Sequence, residues 1–124
     1  MRILARVLGL GAAGFGLMPA LFPGRFAALF GIDSATNPTV ATAIRSVGIR
    51  DLLIGIALFE AAGSADRKTL HRWILVRTGC DAGDTLAVAM AMFAGVRNRR
   101  FTALGALAAG AAAFGFAVAK RAAD

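Results

Sequence analysis

The sequence predicts an all-α membrane protein, a four-transmembrane-helix bundle with a short interfacial helix between helices 1 and 2. Three observations predict it. The chain has 124 residues, of which 58% are apolar, above the roughly 45–50% usual for soluble domains. Its mean hydropathy is +0.69, and a soluble fold this short keeps too much surface in water to hide so much apolar material. The apolar residues also fall into four runs, each near the ~20 residues a helix needs to cross the hydrocarbon core. Together they are expected to form one integral membrane domain over residues 1–124.

The first span covers about 3–21. Arg2 and Arg6 lead into an uncharged stretch from Val7 to Gly24, longer than a secretory signal core, so a retained signal-anchor helix is expected. Pro19 and Pro23 should end it, because proline lacks an amide donor and crowds the preceding turn. Phe22, Phe26, Leu29 and Phe30 then recur at helical spacing beside Arg25, which predicts the short helix lying in the interface. Asn37-Pro38 starts the second span, about 39–63, and Gly63-Ser64 with Asp66-Arg67-Lys68 closes it. The third span covers about 70–95 and ends at Gly95 before Arg97, Arg99 and Arg100. The fourth, about 101–119, carries no charge.

Four spans put both termini and the 64–72 loop on one side. Seven basic residues there (Arg2, Arg6, Arg67, Lys68, Arg72, Lys120, Arg121) face four opposite (Arg25, Arg97, Arg99, Arg100). The bias predicts a multi-pass cell-membrane protein with cytoplasmic termini, and Trp73 beside Arg72 suits an aromatic anchor. Small residues four apart, Gly9/Ala13, Ala12/Gly16, Ala108/Ala112 and Ala109/Ala113, permit close helix approach. Packing within one chain is the expected use, and a homo-oligomer face is the alternative.

The net charge of +7 does not point to nucleic acid, because of where the charges lie. Arg45, Arg50 and Arg77 sit with Asp51, Glu60, Asp81 and Asp84 inside apolar runs, a net of −1. The remaining charges, net +8, lie at span ends and in loops, where they match anionic headgroups of the lipid bilayer. Cys80 is the single cysteine and His71 the single histidine, which argues against a disulfide framework and a transition-metal site. Gly9-Leu10-Gly11-Ala12-Ala13-Gly14 matches the G-x-G-x-x-G pattern. It lies within an apolar helix with no strand before it, so packing glycines are expected and no cofactor.

An ionised side chain at the bilayer centre costs ~2.5–3.5 kcal/mol even on lenient scales, so the inner charges need partners. At roughly 100° per residue, Arg77, Asp81 and Asp84 fall within about 60° on one face of the third span. Arg45, Arg50, Asp51 and Glu60 point around the second, which must then be surrounded by protein or line a wet cavity. Asp51 and Asp81 lie near their span midpoints, at one level. Arg45 and Arg77 are expected to snorkel and Glu60 to reach water, leaving Arg50, Asp51, Asp81 and Asp84 trapped.

Two readings follow. One is a structural ion-pair network, with Arg50 bridging to Asp81 or Asp84 and Arg77 supporting Asp81. The favoured one is a polar pocket between the second and third spans that binds or transforms a lipophilic small molecule. Asp51, Asp81 and Asp84 are its candidate acid/base residues, and Arg45, Arg50 and Arg77 would hold an oxygen-bearing ligand. A homodimeric proton- or cation-coupled transporter using the midplane carboxylates, and a non-catalytic accessory or assembly subunit, are the alternatives.

Arg45, the Gly48-Ile49-Arg50-Asp51-Leu52 core and the Arg77 to Asp84 stretch carry a resemblance. With the Arg/Gly-rich first helix and Pro23 followed by Phe30-Gly31-Ile32, they resemble small bacterial and fungal integral membrane proteins classed as domain of unknown function 4267. The resemblance spans most of the chain, implies a four-helix membrane fold and brings no established activity.

Overall fold

The computed structural model describes residues 1–32 and 37–123; Asp33 and Asp124, two of the peripheral acids, lie outside them. The described residues form five helices: α1 (Arg2–Leu21), α2 (Pro23–Leu29), α3 (Pro38–Gly63), α4 (Arg67–Phe93) and α5 (Arg99–Ala123). Of these, α1 and α5 are long and apolar enough to cross a membrane.

Local chemistry sets the boundaries. Pro19 does not end α1: it lies within the helix and is fully buried. It sits beside Gly48, and packing there outweighs the one hydrogen bond it forfeits. The break comes at Phe22, and Pro23 opens α2, where a missing amide costs nothing. Asn37 caps α3 by accepting from the amides of Thr39 (3.0 Å) and Val40 (3.3 Å), with Pro38 in the first turn.

Asp66 also caps a helix rather than only closing the preceding one. Its carboxylate accepts from the Lys68 and Thr69 amides at 2.9 and 3.3 Å, so α4 starts at Arg67, three residues before the expected 70. The Thr69 hydroxyl first, and the capped amides with it, hold this carboxyl below its ordinary range. Gly95 follows the end of α4 at φ +108°, a backbone state that only glycine adopts without strain.

Helix α1 packs most closely on α3, and α4 on α5; α3 joins the two pairs, while α1 and α5 barely meet. Both pairs use glycine. A Cβ on Gly16 would stand 2.5 Å from the Gly48 carbonyl oxygen, and one on Gly9 would stand 2.8 Å from that of Gly55, so the α1 and α3 backbones touch. On α5 the close approaches belong to Gly105, against Val88, and Gly115, against Thr78, and not to the alanine pairs. Ala109 and Ala113 are exposed, Ala108 and Ala112 half-buried. The G-x-G-x-x-G run lies within α1: Gly9 packs on α3, while Gly11 and Gly14 face open space.

Two apolar clusters close the ends of the bundle. One joins Ala5, Leu8, Leu58, Ala62, Ile74 and Val118 near the termini, with Trp73 packed against it. The other holds Phe26, Ala27, Phe30 and Ile44 at the opposite end. Short helix α2 thus buries one face against α3, and its Leu29 and preceding Phe22 stay exposed. Asn98 ties this end together: its amide donates to the Gly31 carbonyl at 3.3 Å, and its oxygen caps α5 at the Arg100 and Phe101 amides. The inner charges lie between the two clusters.

Candidate ligand site between the helices

Arg50, Asp51, Arg77, Asp81 and Asp84 meet where α3 faces α4. Arg50 holds Asp84 with a two-pronged contact, Nη1 to Oδ1 at 3.1 Å and Nη2 to Oδ2 at 2.6 Å. The same guanidinium donates to Asp51 Oδ1 through Nε at 3.1 Å and Nη2 at 2.9 Å. Arg77 grips Asp81 one turn along α4, with Nε donating to Oδ2 at 3.0 Å and Nη2 to Oδ1. Arg77 Nη1 lies 3.0 Å from Asp51 Oδ1. The order is therefore Asp84, Arg50, Asp51, Arg77, Asp81, with acid and base alternating. Forked guanidinium–carboxylate contacts are the strong, directional kind.

Burial corrects the expected sorting. Arg77 does not reach out of the bundle: it is 6% exposed, because the Asp81 and Asp51 carboxylates lie within its reach. Asp51 and Asp81 are 3% and 1% exposed. Arg50 and Asp84 are half-buried, with side-chain exposures of 33% and 32%. Arg50 bridges to Asp84 and not to Asp81. Arg45 stands apart; its Nε donates to the Ala20 carbonyl at 3.1 Å, closing the end of α1. Glu60 is exposed.

One interaction in the network is incomplete. Arg77 Nη1 is buried and near Asp51, yet it makes no aligned hydrogen bond among the described residues. Nη1 carries two N–H groups and the misaligned Asp51 oxygen does not satisfy both, so this atom can also take an oxygen from a ligand.

Four of the five charged residues, Asp51, Arg77, Asp81 and Asp84, form part of the wall of a cavity of about 540 Å³, within the ~300–1,000 Å³ range of small-molecule sites. The rest of the wall is apolar. Gly11 and Phe15 come from α1, Phe26 from α2, Ile44 and Val47 from α3, and Leu107 and Phe114 from α5. The cavity is therefore wider than a pocket between α3 and α4, since α1 and α5 supply much of it. Among the described residues, no group of three or more His, Cys, Asp or Glu is placed to hold a metal ion.

The family described as a domain of unknown function (DUF4267) matches residues 9–119, a stretch that contains both halves of this network. The chain belongs to the DUF4267 family. No curated protein and no solved structure matches it. Within this DUF4267 chain, Gly48-Ile49-Arg50-Asp51-Leu52 serves two partners. Gly48 faces α1, while Arg50 and Asp51 face α4.

Sequence reasoning did not anticipate the part that α1 and α5 play in the site. The available signal was the run of small residues on α1: Gly11 and Ala12 line the cavity, and their size leaves room for it. The Asn98 tie across 67 residues had no signal, because an asparagine before a helix is explained by capping alone.

Proposed function

We propose that this protein is a four-span, multi-pass membrane protein with cytoplasmic termini that holds a lipophilic small molecule in the central cavity. Large apolar side chains exposed on all four long helices support the spans. Leu10, Leu53, Leu86, Met90, Phe93 and Phe116 are each at least 58% exposed, more than a short soluble monomer presents to water. Five of the seven inner charges, Arg50, Asp51, Arg77, Asp81 and Asp84, pair with one another, which offsets part of what they would cost in lipid.

The observation that carries the ligand reading is the wall itself, an apolar cavity with Asp51, Arg77, Asp81 and Asp84 gathered on one side. Such a wall suits acid–base chemistry on a carbonyl-bearing ligand. Arg77 would hold the oxygen. On a β,γ-unsaturated carbonyl ligand, a neighbouring carboxylate would take a proton from the α carbon, the electron pair moving onto that oxygen to form a dienolate. It would return the proton to the γ carbon as the double bond shifts into conjugation and the carbonyl re-forms. Nothing else is consumed, so the reaction is an isomerisation. Developing negative charge on the oxygen is what a fixed guanidinium stabilises.

The test compares the small molecules that co-purify with the wild type and with Asp51→Asn, Asp81→Asn and Asp84→Asn. Folded variants that lose a co-purifying lipophile support the reading; an identical set in all four proteins refutes it.

A second reading, a non-catalytic assembly subunit, is favoured by one observation: each cavity carboxylate already has a guanidinium partner. On that reading every Asp→Asn variant fails to accumulate, and Arg50→Met combined with Asp84→Leu restores it.

A further inference from the structure

The cavity that the proposed function rests on has a shape, an opening and a charge that narrow its occupant. On α1 its wall runs from Val7 to Phe15, and on α5 from Leu104 to Phe114. At ~1.5 Å per residue these are about 12 and 15 Å of helix, so the space is a slot along the bundle axis. The seam between α1 and α5, the two helices that barely meet, flanks this slot. Phe15 and Phe114, from either side of the seam, line the cavity and are each 40% exposed. A slot edged by exposed apolar side chains admits molecules from the acyl-chain region more readily than from water.

The polar wall selects the head. Two guanidiniums against three carboxylates leave the network at −1, and an anionic head would add a second uncompensated charge in a low-dielectric site. Arg77 Nη1 lies 3.0 Å from Asp51 yet makes no aligned hydrogen bond among the described residues; it carries two N–H groups on a buried residue, and a spare donor there needs an acceptor. An ammonium head could offset that −1 only at carboxylates that each already hold a guanidinium, and it would bring no acceptor for Arg77. We infer that the occupant is an uncharged, elongated bilayer lipophile bearing one carbonyl or hydroxyl oxygen, which accepts from Arg77 while its chain lies along the slot between α1 and α5.

The structure supplies its own plug and control. Gly11 lines the cavity and Gly14 does not, and an added Cβ at either meets nothing within 4 Å. Gly11→Phe should fill the slot without disturbing α1, and Gly14→Phe, at a position that is no part of the wall, is the control. The experiment measures binding of four probes of equal chain length to the full chain in nanodiscs: a long-chain methyl ketone, the primary alcohol, the fatty carboxylate and the primary amine. We expect the ketone and alcohol to bind at least tenfold more tightly than the carboxylate and amine. Gly11→Phe should weaken them at least tenfold at an unchanged melting temperature, and Gly14→Phe should leave them unaffected. Amine or carboxylate binding that Gly11→Phe abolishes overturns the inference about the head while the cavity reading stands. Binding of all four probes that ignores Gly11→Phe overturns both.

Discussion

Replacing Gly48 with alanine should cost this protein about 2 kcal/mol, and the reason lies wholly in the contact between α1 and α3. A Cβ on Gly48 would stand 2.5 Å from the Ala20 amide nitrogen and 2.6 Å from the Gly16 carbonyl oxygen. Both are backbone atoms, so neither can rotate away. Restoring ordinary contact near 3.4 Å requires opening the pair locally by about 0.9 Å, and a gap of that size forfeits a quarter to a half of each affected dispersion contact. Overpacking of this kind costs roughly 1–3 kcal/mol, and rigid backbone on both sides puts Gly48→Ala at the upper end. The better helix propensity of alanine returns about 0.5–1 kcal/mol. Gly14→Ala, where an added Cβ meets nothing, keeps only that gain. The two variants should therefore differ by about 3 kcal/mol, roughly a hundredfold in unfolding equilibrium. Reversible unfolding in mixed micelles, followed by circular dichroism, measures the difference. A Gly48→Ala protein as stable as Gly14→Ala would refute the backbone contact between α1 and α3.

Other predictions address the charges. Arg77→Met leaves Asp51 and Asp81 buried with one guanidinium between them, and should destabilise by about 3–5 kcal/mol. Adding Asp81→Leu removes the orphaned carboxylate and should recover more than half of that, in the same unfolding assay; a double variant no better than the single one contradicts the pairing of Arg77 with Asp81. Asp84→Asn removes one of the two carboxylates that Arg50 holds and leaves Asp51 on the other, so it should destabilise by less than Arg77→Met in the same assay. Asp66 titrates below its ordinary range because Thr69 and the first-turn amides favour the charged form. Its stabilisation of the α4 start is thus fully present above the unfolded value of about 3.9 and is lost as pH falls through the lower folded value. Amide exchange at Lys68 and Thr69 should rise over that acid range in the wild type, and Asp66→Asn should flatten the rise.

The helices were legible in the sequence because their signals are local. Asn37-Pro38 starts α3, and the uncharged run closed by Pro23 reads as α1. Pro19 misled because its local penalty is real; a tertiary neighbour, Gly48, overrides it. The level shared by Asp51 and Asp81 was legible from span midpoints alone. Their partners were not, since an i,i+4 rule gives the Arg77–Asp81 pair but says nothing of the distance from Arg77 to Asp51 across two helices. The lean of helix side chains toward the N-terminus sends Arg77 toward an interface, and only the Asp51 carboxylate across the bundle explains why it stays inside. The cavity was the least legible feature. It exists because α1 and α5 fail to close over the charged wall, and helix periodicity carries no record of a contact that is missing.

The most direct test of the account is an experimental map of the full chain in lipid. The account predicts elongated non-protein density in the slot between α1 and α5, with one end about 3 Å from Arg77 Nη1. A map in which α1 and α5 pack against each other over Asp51 and Asp81, leaving no space beside the charged wall, would contradict it.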